Sequence, residues 1–207
     1  MTLLACALLL AAALPIACAP LRPPPDEPFI DLQAADPRIE VDIRYATADN
    51  FTKTALYPAN RCLLRAAVAR RLSRAQTALA KEGLGLKVWD CYRPLAIQRK
   101  LWALVPDPRY VADPAKGSRH NRGAAVDLTL VDAAGRELEM PTAYDDFSER
   151  AHRDYATPSA AAARNRRFLE TALAKQGFEG LPTEWWHFDA PGWRRYPIAD
   201  VPLAPAP

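Results

Sequence analysis

The sequence predicts a single α+β domain, built as a mainly antiparallel central sheet flanked by helices. Apolar residues recur every three or four positions in some segments, as in helices, and every second position in others, as in strands. These segments are mixed without the regular strand-helix-strand alternation that indicates a parallel sheet. The chain has 207 residues, of which 50% are hydrophobic, so we expect one sizeable core and one domain, over residues 29–207.

The segment before this domain is apolar and then rich in proline. Residues 1–19 have the short apolar run of a secretory or lipoprotein-type leader rather than that of a membrane span. Two cleavage sites are open, because Cys18 follows "LPIA", which loosely resembles a lipoprotein box, and Ala17–Ala19 offers small residues. Residues 20–28 predict an extended linker. We expect export to the periplasm or cell envelope and no transmembrane span in the mature chain. Cleavage at the lipoprotein-type box would leave a lipid anchor at Cys18.

The first half of the domain contains two strand patterns and two helix patterns. Residues 39–45 alternate apolar and charged side chains, which predicts a half-buried strand. The apolar spacing over residues 63–81 predicts a helix. A second strand is predicted over residues 86–92, and a helix follows that is opened by Pro94 and ended by Pro106.

The second half of the domain predicts a strand, a helix and a last strand. Residues 124–131 alternate in the manner of a strand, with Val126, Leu128 and Leu130 on one face. A helix is predicted over residues 158–177, with Gly177 at its C-terminal end. The short aromatic segment "EWWHFD" is typical of a strand.

The four cysteines divide between the leader and the domain. Cys6 and Cys18 belong to the leader, which leaves Cys62 and Cys91 in the mature domain. Because an exported domain can be oxidised, we predict a disulfide between these two residues. The alternative is a pair of buried free thiols.

The charge balance excludes one class of partner. The 27 basic and 24 acidic residues give a net charge of only +3, and the basic pairs are scattered along the chain. Nucleic-acid binding depends on a concentrated positive surface. We therefore expect no nucleic-acid partner.

A carboxylate in the strand of residues 124–131 indicates a metal site. Asp127 faces away from the apolar side of that strand, and an ionised carboxylate there is costly unless it is paired or binds a metal ion. His120 lies in the preceding loop, where Gly123 lets the backbone turn, and His187 lies in the last predicted strand. Two imidazoles and one carboxylate would leave the fourth position of a tetrahedral zinc ion to water, as catalytic zinc requires. Glu184 is the candidate general base, provided that it lies in a turn or on a bulge, since positions i and i+3 of a regular strand face opposite sides.

Four sequence segments resemble one known family. The segments "DCYRP", "SRHNRGAAVDLTL", "MPTAYDDFSERAH" and "EWWHF", within residues 29–197, closely resemble the D-alanyl-D-alanine dipeptidases, the VanX-like family of zinc peptidases. The resemblance implies one zinc ion per chain and a small D,D-dipeptide as substrate. It also implies the following roles: His120, Asp127 and His187 as zinc ligands, Glu184 as catalytic base, Arg93 as the group that stabilises the oxyanion, Ser118 near the substrate, and Asp145, or Asp146 in a shifted register, as the partner of the substrate ammonium.

Each of these roles has a simpler alternative. The two histidines could be a loop residue and a hydrogen-bonded core residue, and Arg93 could be merely a surface or ion-pair arginine. Asp145 could belong to a solvated helix start. Two further residue assignments follow: Trp185 and Trp186 are expected to pack in the core, and His152 is the substitute ligand if Asp127 is not one.

The expected function is zinc-dependent hydrolysis of D-alanyl-D-alanine to two D-alanines during cell-wall peptide turnover. In the expected mechanism, Glu184 takes the proton of the attacking metal-bound water, without a covalent intermediate. The nearer alternative is a D,D- or L,D-carboxypeptidase of the same zinc fold that acts on longer wall peptides. The second alternative is a non-catalytic wall-binding domain with a structural zinc ion.

Overall fold

The computed structural model describes residues 27–204, and its secondary structure is mixed along the chain as predicted. The leader expected over residues 1–19, with Cys6 and Cys18, lies outside the described residues, as does most of the Pro-rich segment. Within the described residues, no helix is both long enough and apolar enough to cross a membrane. The elements are β1 (Phe29–Asp31), α1 (Leu32–Ala35), β2 (Glu40–Val41), β3 (Leu63–Arg65), α2 (Ala66–Ala80), β4 (Leu84–Asp90), α3 (Leu95–Leu104), β5 (Ala125–Asp132), α4 (Ala160–Ala174), β6 (Glu179–Gly180) and β7 (His187–Asp189).

The central sheet has five strands in the order β2-β4-β5-β7-β6. β2 runs parallel to β4, and the other three pairs are antiparallel. β1 and β3 form a separate antiparallel pair. The predicted α+β class with a mainly antiparallel sheet is therefore confirmed.

Helices α2 and α4 cover one face of the sheet, because α2 packs on β4, α4 packs on β5, and the two helices contact each other. Leu86 and Val88 of β4 lie opposite Leu130 and Leu128 of β5, and all four side chains are fully buried. Since side chains alternate along a strand, Asp127 and Thr129 face the other side. The apolar face thus holds the helices, and the opposite face is left for polar residues.

The strand predicted over residues 39–45 is much shorter than expected. Only Glu40 and Val41 pair with β4, although Ile39, Ile43 and Tyr45 are buried as the alternation indicated. The side chain of Asn60 takes the place of a strand partner, since its Oδ1 accepts a hydrogen bond from the Ile43 N–H (2.7 Å) and its Nδ2 donates one to the Val41 carbonyl (3.0 Å). A 3₁₀ turn over Arg44–Ala46 then ends the extended segment.

Other boundaries differ because neighbouring segments compete for the backbone. The helix predicted from residue 63 begins at Ala66, since Leu63–Arg65 pair with β1. α3 begins directly after Pro94 and ends before Pro106, as predicted. Of "EWWHFD", only His187–Asp189 form a strand, and the preceding residues form turns.

The folded domain includes part of the predicted linker. Glu27, which the sequence assigns to the linker, is only 5% exposed. Its carboxylate accepts hydrogen bonds from the Tyr196 hydroxyl (2.6 Å) and from the Ala67 N–H, and its carbonyl accepts one from Arg65 (2.7 Å). These contacts attach this part of the predicted linker to the start of α2 and to Tyr196.

The predicted disulfide between Cys62 and Cys91 is confirmed. The bond joins two fully buried residues whose Cα atoms are 5.3 Å apart. Cys62 immediately precedes β3 and Cys91 immediately follows β4. The bond therefore ties the small two-stranded sheet to the end of a central strand.

Candidate metal centre and active site

Three buried side chains meet on the open face of the sheet. His120 Nε2 lies 3.1 Å from His187 Nδ1 and 3.3 Å from Asp127 Oδ1, and His187 Nδ1 lies 3.0 Å from the same Asp127 oxygen. These three atoms form a nearly equilateral triangle. Each residue is no more than 4% exposed.

Two local features of the backbone build this triangle. Asp127 and His187 are directly opposite each other on β5 and β7, so the sheet register alone places their side chains together. His120 begins a 3₁₀ turn that ends at Gly123, which has a left-handed φ of +64°. A Cβ atom at position 123 would lie 2.3 Å from Phe29 Cε1, so only glycine fits this turn.

Each member of the triangle is held from behind by a second hydrogen bond. The outer nitrogen of His120, Nδ1, lies 2.7 Å from the Cys91 carbonyl oxygen, and the outer nitrogen of His187, Nε2, lies 2.9 Å from Asp189 Oδ1. The Tyr144 hydroxyl donates to the other oxygen of Asp127 at 2.9 Å. Such outer partners fix ring orientation and tautomer, as is usual around metal ligands.

The electrostatics of this cluster favour a bound positive charge. Burial alone would lower the pKa of His187, but its hydrogen bonds with Asp127 and Asp189 outweigh burial and raise the pKa to about 10. Burial would raise the pKa of Asp127, but the neighbouring His120 and His187 outweigh it and hold the pKa well below its usual range. The cluster therefore retains either a proton or a metal ion strongly.

The three donor atoms fit a tetrahedral zinc ion. Zinc bonds of about 2.0 to 2.2 Å to nitrogen and oxygen place neighbouring ligand atoms roughly 3.3 to 3.5 Å apart in a tetrahedron. The observed edges of 3.0 to 3.3 Å are close to this spacing. The donor set of two imidazoles and one carboxylate also suits zinc and leaves a fourth position free of protein ligands.

Glu184 lies in a turn between β6 and β7, which is the condition that the sequence set for it to share the site. The Glu184 N–H donates to the Leu181 carbonyl at 3.2 Å, and this turn brings Glu184 Oε2 to 3.9 Å from His187 Nδ1. The side chain is 15% exposed. Burial raises the pKa of Glu184 to about 7; His187 opposes this rise and Asp127 adds to it.

Arg93 reaches the same cavity from the end of β4. Its Nε and Nη2 donate to Asp90 Oδ2 at 3.1 and 2.6 Å, and its Nη1 donates to Gln98 at 3.0 Å. Burial would lower the pKa of Arg93, but Asp90 outweighs it and raises the pKa well above its usual value, so the guanidinium stays charged. Of its five N–H donors, one on each Nη remains for another partner.

Ser118 and Asp145 line the cavity, whereas Asp146 does not. Ser118 Oγ accepts a hydrogen bond from the His120 N–H at 3.2 Å. Asp145 has a left-handed φ of +57°, and its carboxylate accepts from the Tyr45 hydroxyl at 3.3 Å. Burial raises the pKa of Asp145 to about 8, and the Asp127 charge adds to this rise. Asp146 instead accepts from the Ser148 N–H, within its own turn.

The remaining predicted residues lie outside the metal cluster. Trp185 and Trp186 are 0% and 1% exposed and stack edge-on against each other, in agreement with a packing role. His152 is not part of the cluster of metal-binding side chains found among residues 27–204. Its carbonyl accepts a hydrogen bond from Arg166.

Sequence reasoning missed three residues of the site. Asp90 is fully buried, lies opposite Asp127 in the sheet, and accepts hydrogen bonds from Arg93 and from the Tyr57 hydroxyl (2.8 Å). Tyr144 and Asp189 hold Asp127 and His187 from behind. Asp189 lies two residues after His187, so a search for carboxylates next to the candidate ligands would have found it.

Comparison with known proteins gives a consistent family. The family model Peptidase_M15, described as D-ala-D-ala dipeptidase, matches residues 26–200. A D-alanyl-D-alanine dipeptidase of Escherichia coli is 40% identical over 170 residues, which are 82% of this chain and 88% of that protein. The corresponding enzyme of Enterococcus faecium is 33% identical over 168 residues, which are 71% of this chain and 83% of that protein.

Among solved structures, a mutant of the vancomycin resistance D,D-pentapeptidase VanY in complex with Zn(II) matches with a TM-score of 0.41 and 16% identity, over 66% of this chain and 77% of that one. The family model covers most of the chain, and both dipeptidases exceed 30% identity over more than two thirds of it. The protein is therefore a metallopeptidase that belongs to the D-ala-D-ala dipeptidase family, Peptidase_M15.

Proposed function

We propose that the protein is a zinc-dependent dipeptidase that hydrolyses D-alanyl-D-alanine to two D-alanines. One observation carries this proposal: the triangle of His120, Asp127 and His187 donor atoms lies in one cavity with Glu184 and Arg93. A purely structural zinc site would need neither a free carboxylate nor a charged guanidinium beside it. The combination supports hydrolysis rather than a non-catalytic wall-binding role.

The ion would be held by His120 Nε2, Asp127 Oδ1 and His187 Nδ1. When bound, zinc lowers the pKa of a coordinated water molecule and polarises the carbonyl group of the substrate. The hydrogen bonds of Cys91, Tyr144 and Asp189 keep the donor atoms facing one another. This preorganisation reduces the cost of assembling the site when the ion arrives.

Glu184 takes the proton of the attacking water and returns it to the amine that leaves. Its Oε2 lies 3.9 Å from His187 Nδ1, one of the three donor atoms, and its side chain lines the same cavity as the other two. A carboxylate at this position can reach both the water and the scissile nitrogen with a small rotation of its side chain. Proton transfer by a positioned group of this kind contributes roughly 10²- to 10⁴-fold to the rate.

Arg93 stabilises the negative oxygen of the tetrahedral intermediate. Asp90 and Gln98 fix its guanidinium, and the Tyr45 ring, 5.2 Å from its central carbon, covers one face of it. The two N–H groups that remain can donate to the oxyanion. Because the guanidinium is already oriented, little reorganisation is needed during the reaction.

The shape and charge of the cavity suit a short peptide. Its volume is about 290 Å³, and Asp145 provides a carboxylate on its wall for the substrate ammonium. Ser118 lies beside His120 and is placed to contact the substrate backbone. A free ammonium at this carboxylate is a feature of a dipeptide, whereas the corresponding nitrogen of a longer wall peptide is an amide.

We further propose that the chain is exported and acts on cell-wall peptides in the periplasm or cell envelope. The apolar leader pattern supports this location, and the disulfide is compatible with an oxidising compartment. Recycling of D-alanine from wall fragments is the role that suits this location. Cell fractionation tests the location, and finding the full-length chain only in the cytoplasm would contradict it.

The substrate assignment is tested by incubating the purified, zinc-loaded protein with D-alanyl-D-alanine, with L-alanyl-L-alanine and with a wall pentapeptide ending in D-alanyl-D-alanine. Free alanine is followed in each reaction. We expect release from the D,D-dipeptide alone. Release from the pentapeptide but not from the free dipeptide would instead assign a carboxypeptidase.

The mechanism is tested with the Glu184→Gln variant. This variant keeps the size of the side chain and all three metal donor atoms, so it should bind one zinc ion per chain like the wild type. Its kcat should fall by roughly 10²- to 10⁴-fold, because the base is lost. Zinc content by metal analysis and turnover of D-alanyl-D-alanine are measured together, and retained turnover would remove Glu184 from this role.

A further inference from the structure

We propose that Arg119 binds the C-terminal carboxylate of the dipeptide. It thereby makes the enzyme selective for substrates in which a single residue follows the scissile bond. This inference rests on the proposed dipeptidase function and identifies a specificity residue for it. Arg119 immediately precedes the metal-binding candidate His120 and lines the same cavity.

The guanidinium of Arg119 is oriented but still has free donors. Its Nε lies 3.3 Å from Asp189 Oδ2, and its central carbon lies 4.9 Å from the ring centre of Trp193. Within residues 27–204, neither of its Nη atoms donates a hydrogen bond to another residue, and 36% of the side chain is exposed. A planar cation held in this way can donate two parallel hydrogen bonds to a carboxylate.

The other arginines of the cavity are less suitable for this task. Arg93 is bound to Asp90 by two hydrogen bonds and faces the reaction centre. Arg109 donates three hydrogen bonds to Asp107, and its side chain is 73% exposed. Because the free donors of Arg93 face the reaction centre, Arg119 is the cation of this cavity whose Nη donors are available for a carboxylate away from that centre.

The sheet places Arg119 and Asp145 on opposite sides of the metal cluster. Arg119 pairs with Asp189 of β7, whereas Asp145 bonds to Tyr45, which follows β2. Strands β7 and β2 lie on opposite sides of β5, which carries Asp127. A dipeptide with its ammonium at Asp145 and its carboxylate at Arg119 therefore crosses the cluster with its peptide bond between the two charges.

The experiment compares two substrates that differ only at the C-terminus, D-alanyl-D-alanine and D-alanyl-D-alaninamide, with zinc-loaded enzyme. The wild type should prefer the free carboxylate, and Arg119→Ala should lower kcat/KM for this substrate by roughly 10- to 100-fold, as expected for a lost charged hydrogen bond. The amide should be cleaved at nearly the same rate by both enzymes. Arg119→Lys should keep part of the preference, and the control Arg109→Ala, which removes a cation from the rim of the same cavity, should leave the preference unchanged.

An equal fall in kcat/KM for both substrates in Arg119→Ala would show that Arg119 acts only through Asp189 and His187. An unchanged kcat/KM for both substrates would show that Arg119 does not contact the substrate. Either result overturns the proposal. Calorimetric binding of both peptides in a Glu184→Gln background repeats the comparison without turnover. If the wild type cleaves neither peptide, the proposed function fails, and the calorimetric preference alone then decides whether Arg119 recognises the carboxylate.

Discussion

Removing the disulfide between Cys62 and Cys91 should destabilise the domain by an amount that follows from the length of the loop it closes. The two cysteines are 29 residues apart. The chain-entropy relation for a loop of this size gives about 3.6 kcal/mol at 25 °C. For a domain of this length, that change corresponds to a fall in Tm of about 7 to 14 °C.

The assay is equilibrium unfolding in urea of the zinc-free protein, with wild type and a Cys62→Ala, Cys91→Ala double variant compared at the same pH. Alanine is chosen because both positions are buried and a hydroxyl group would lack a partner there. The control is the wild type under a reducing agent, which should approach the stability of the double variant, while the variant itself should not respond to the reductant. A loss of less than about 1 kcal/mol would refute the loop-closure reasoning.

The same perturbation should also reach the metal centre. The carbonyl of Cys91 is the partner of His120 Nδ1, at 2.7 Å, so the disulfide helps to hold the acceptor that orients this proposed zinc ligand. The carbonyl itself remains in the double variant, and we therefore expect zinc affinity to fall by about tenfold at most. Competition with a chromogenic chelator measures this change, and an unchanged affinity would show that β4 alone fixes the carbonyl.

Two further predictions concern Asp145, the proposed substrate contact, and the turn that carries Glu184, the proposed base. Burial raises the pKa of Asp145 to about 8, so the charged carboxylate is lost progressively as the pH falls below 8. The Kd of a hydrolysis-resistant D-alanyl-D-alanine analogue should then rise by up to about tenfold per pH unit. In Asp145→Asn, calorimetry should find weak binding without this pH dependence, and an unchanged pH dependence would assign it to another group. Arg153 donates to the carbonyls of Leu181, Trp185 and His187 at 2.7 to 2.9 Å. Arg153→Ala should therefore lower the free energy of unfolding in urea by about 3 kcal/mol. A loss below about 1 kcal/mol would show that water replaces these hydrogen bonds.

The face of Asp127 was predictable from the sequence because strand alternation is a local property. Val126, Leu128 and Leu130 are 0% exposed and identify the apolar side, which leaves Asp127 on the other. The helices were predictable for the same reason, since their apolar spacing is set by residues a few positions apart. Glu184 could be placed conditionally, because a regular strand would have carried it to the wrong face.

The positions of Asp90 and Tyr144 were not predictable, because they depend on contacts between segments far apart in the sequence. Asp90 comes to lie opposite Asp127 only because the register between β4 and β5 is irregular between Val88 and Asp90. Tyr144 reaches Asp127 from a segment without regular secondary structure. Neither position has a periodic pattern that would indicate its direction.

The strand order carries a consequence for how the enzyme matures. Among residues 27–204, β7 is the last strand, yet it occupies an inner position between β5 and β6 and brings His187 opposite Asp127. As the chain folds, the other strands can therefore pair before the three proposed ligands are all in place. If these residues bind zinc as proposed, tight capture of the ion should begin only once β7 has docked, and metal uptake would then mark the completion of folding.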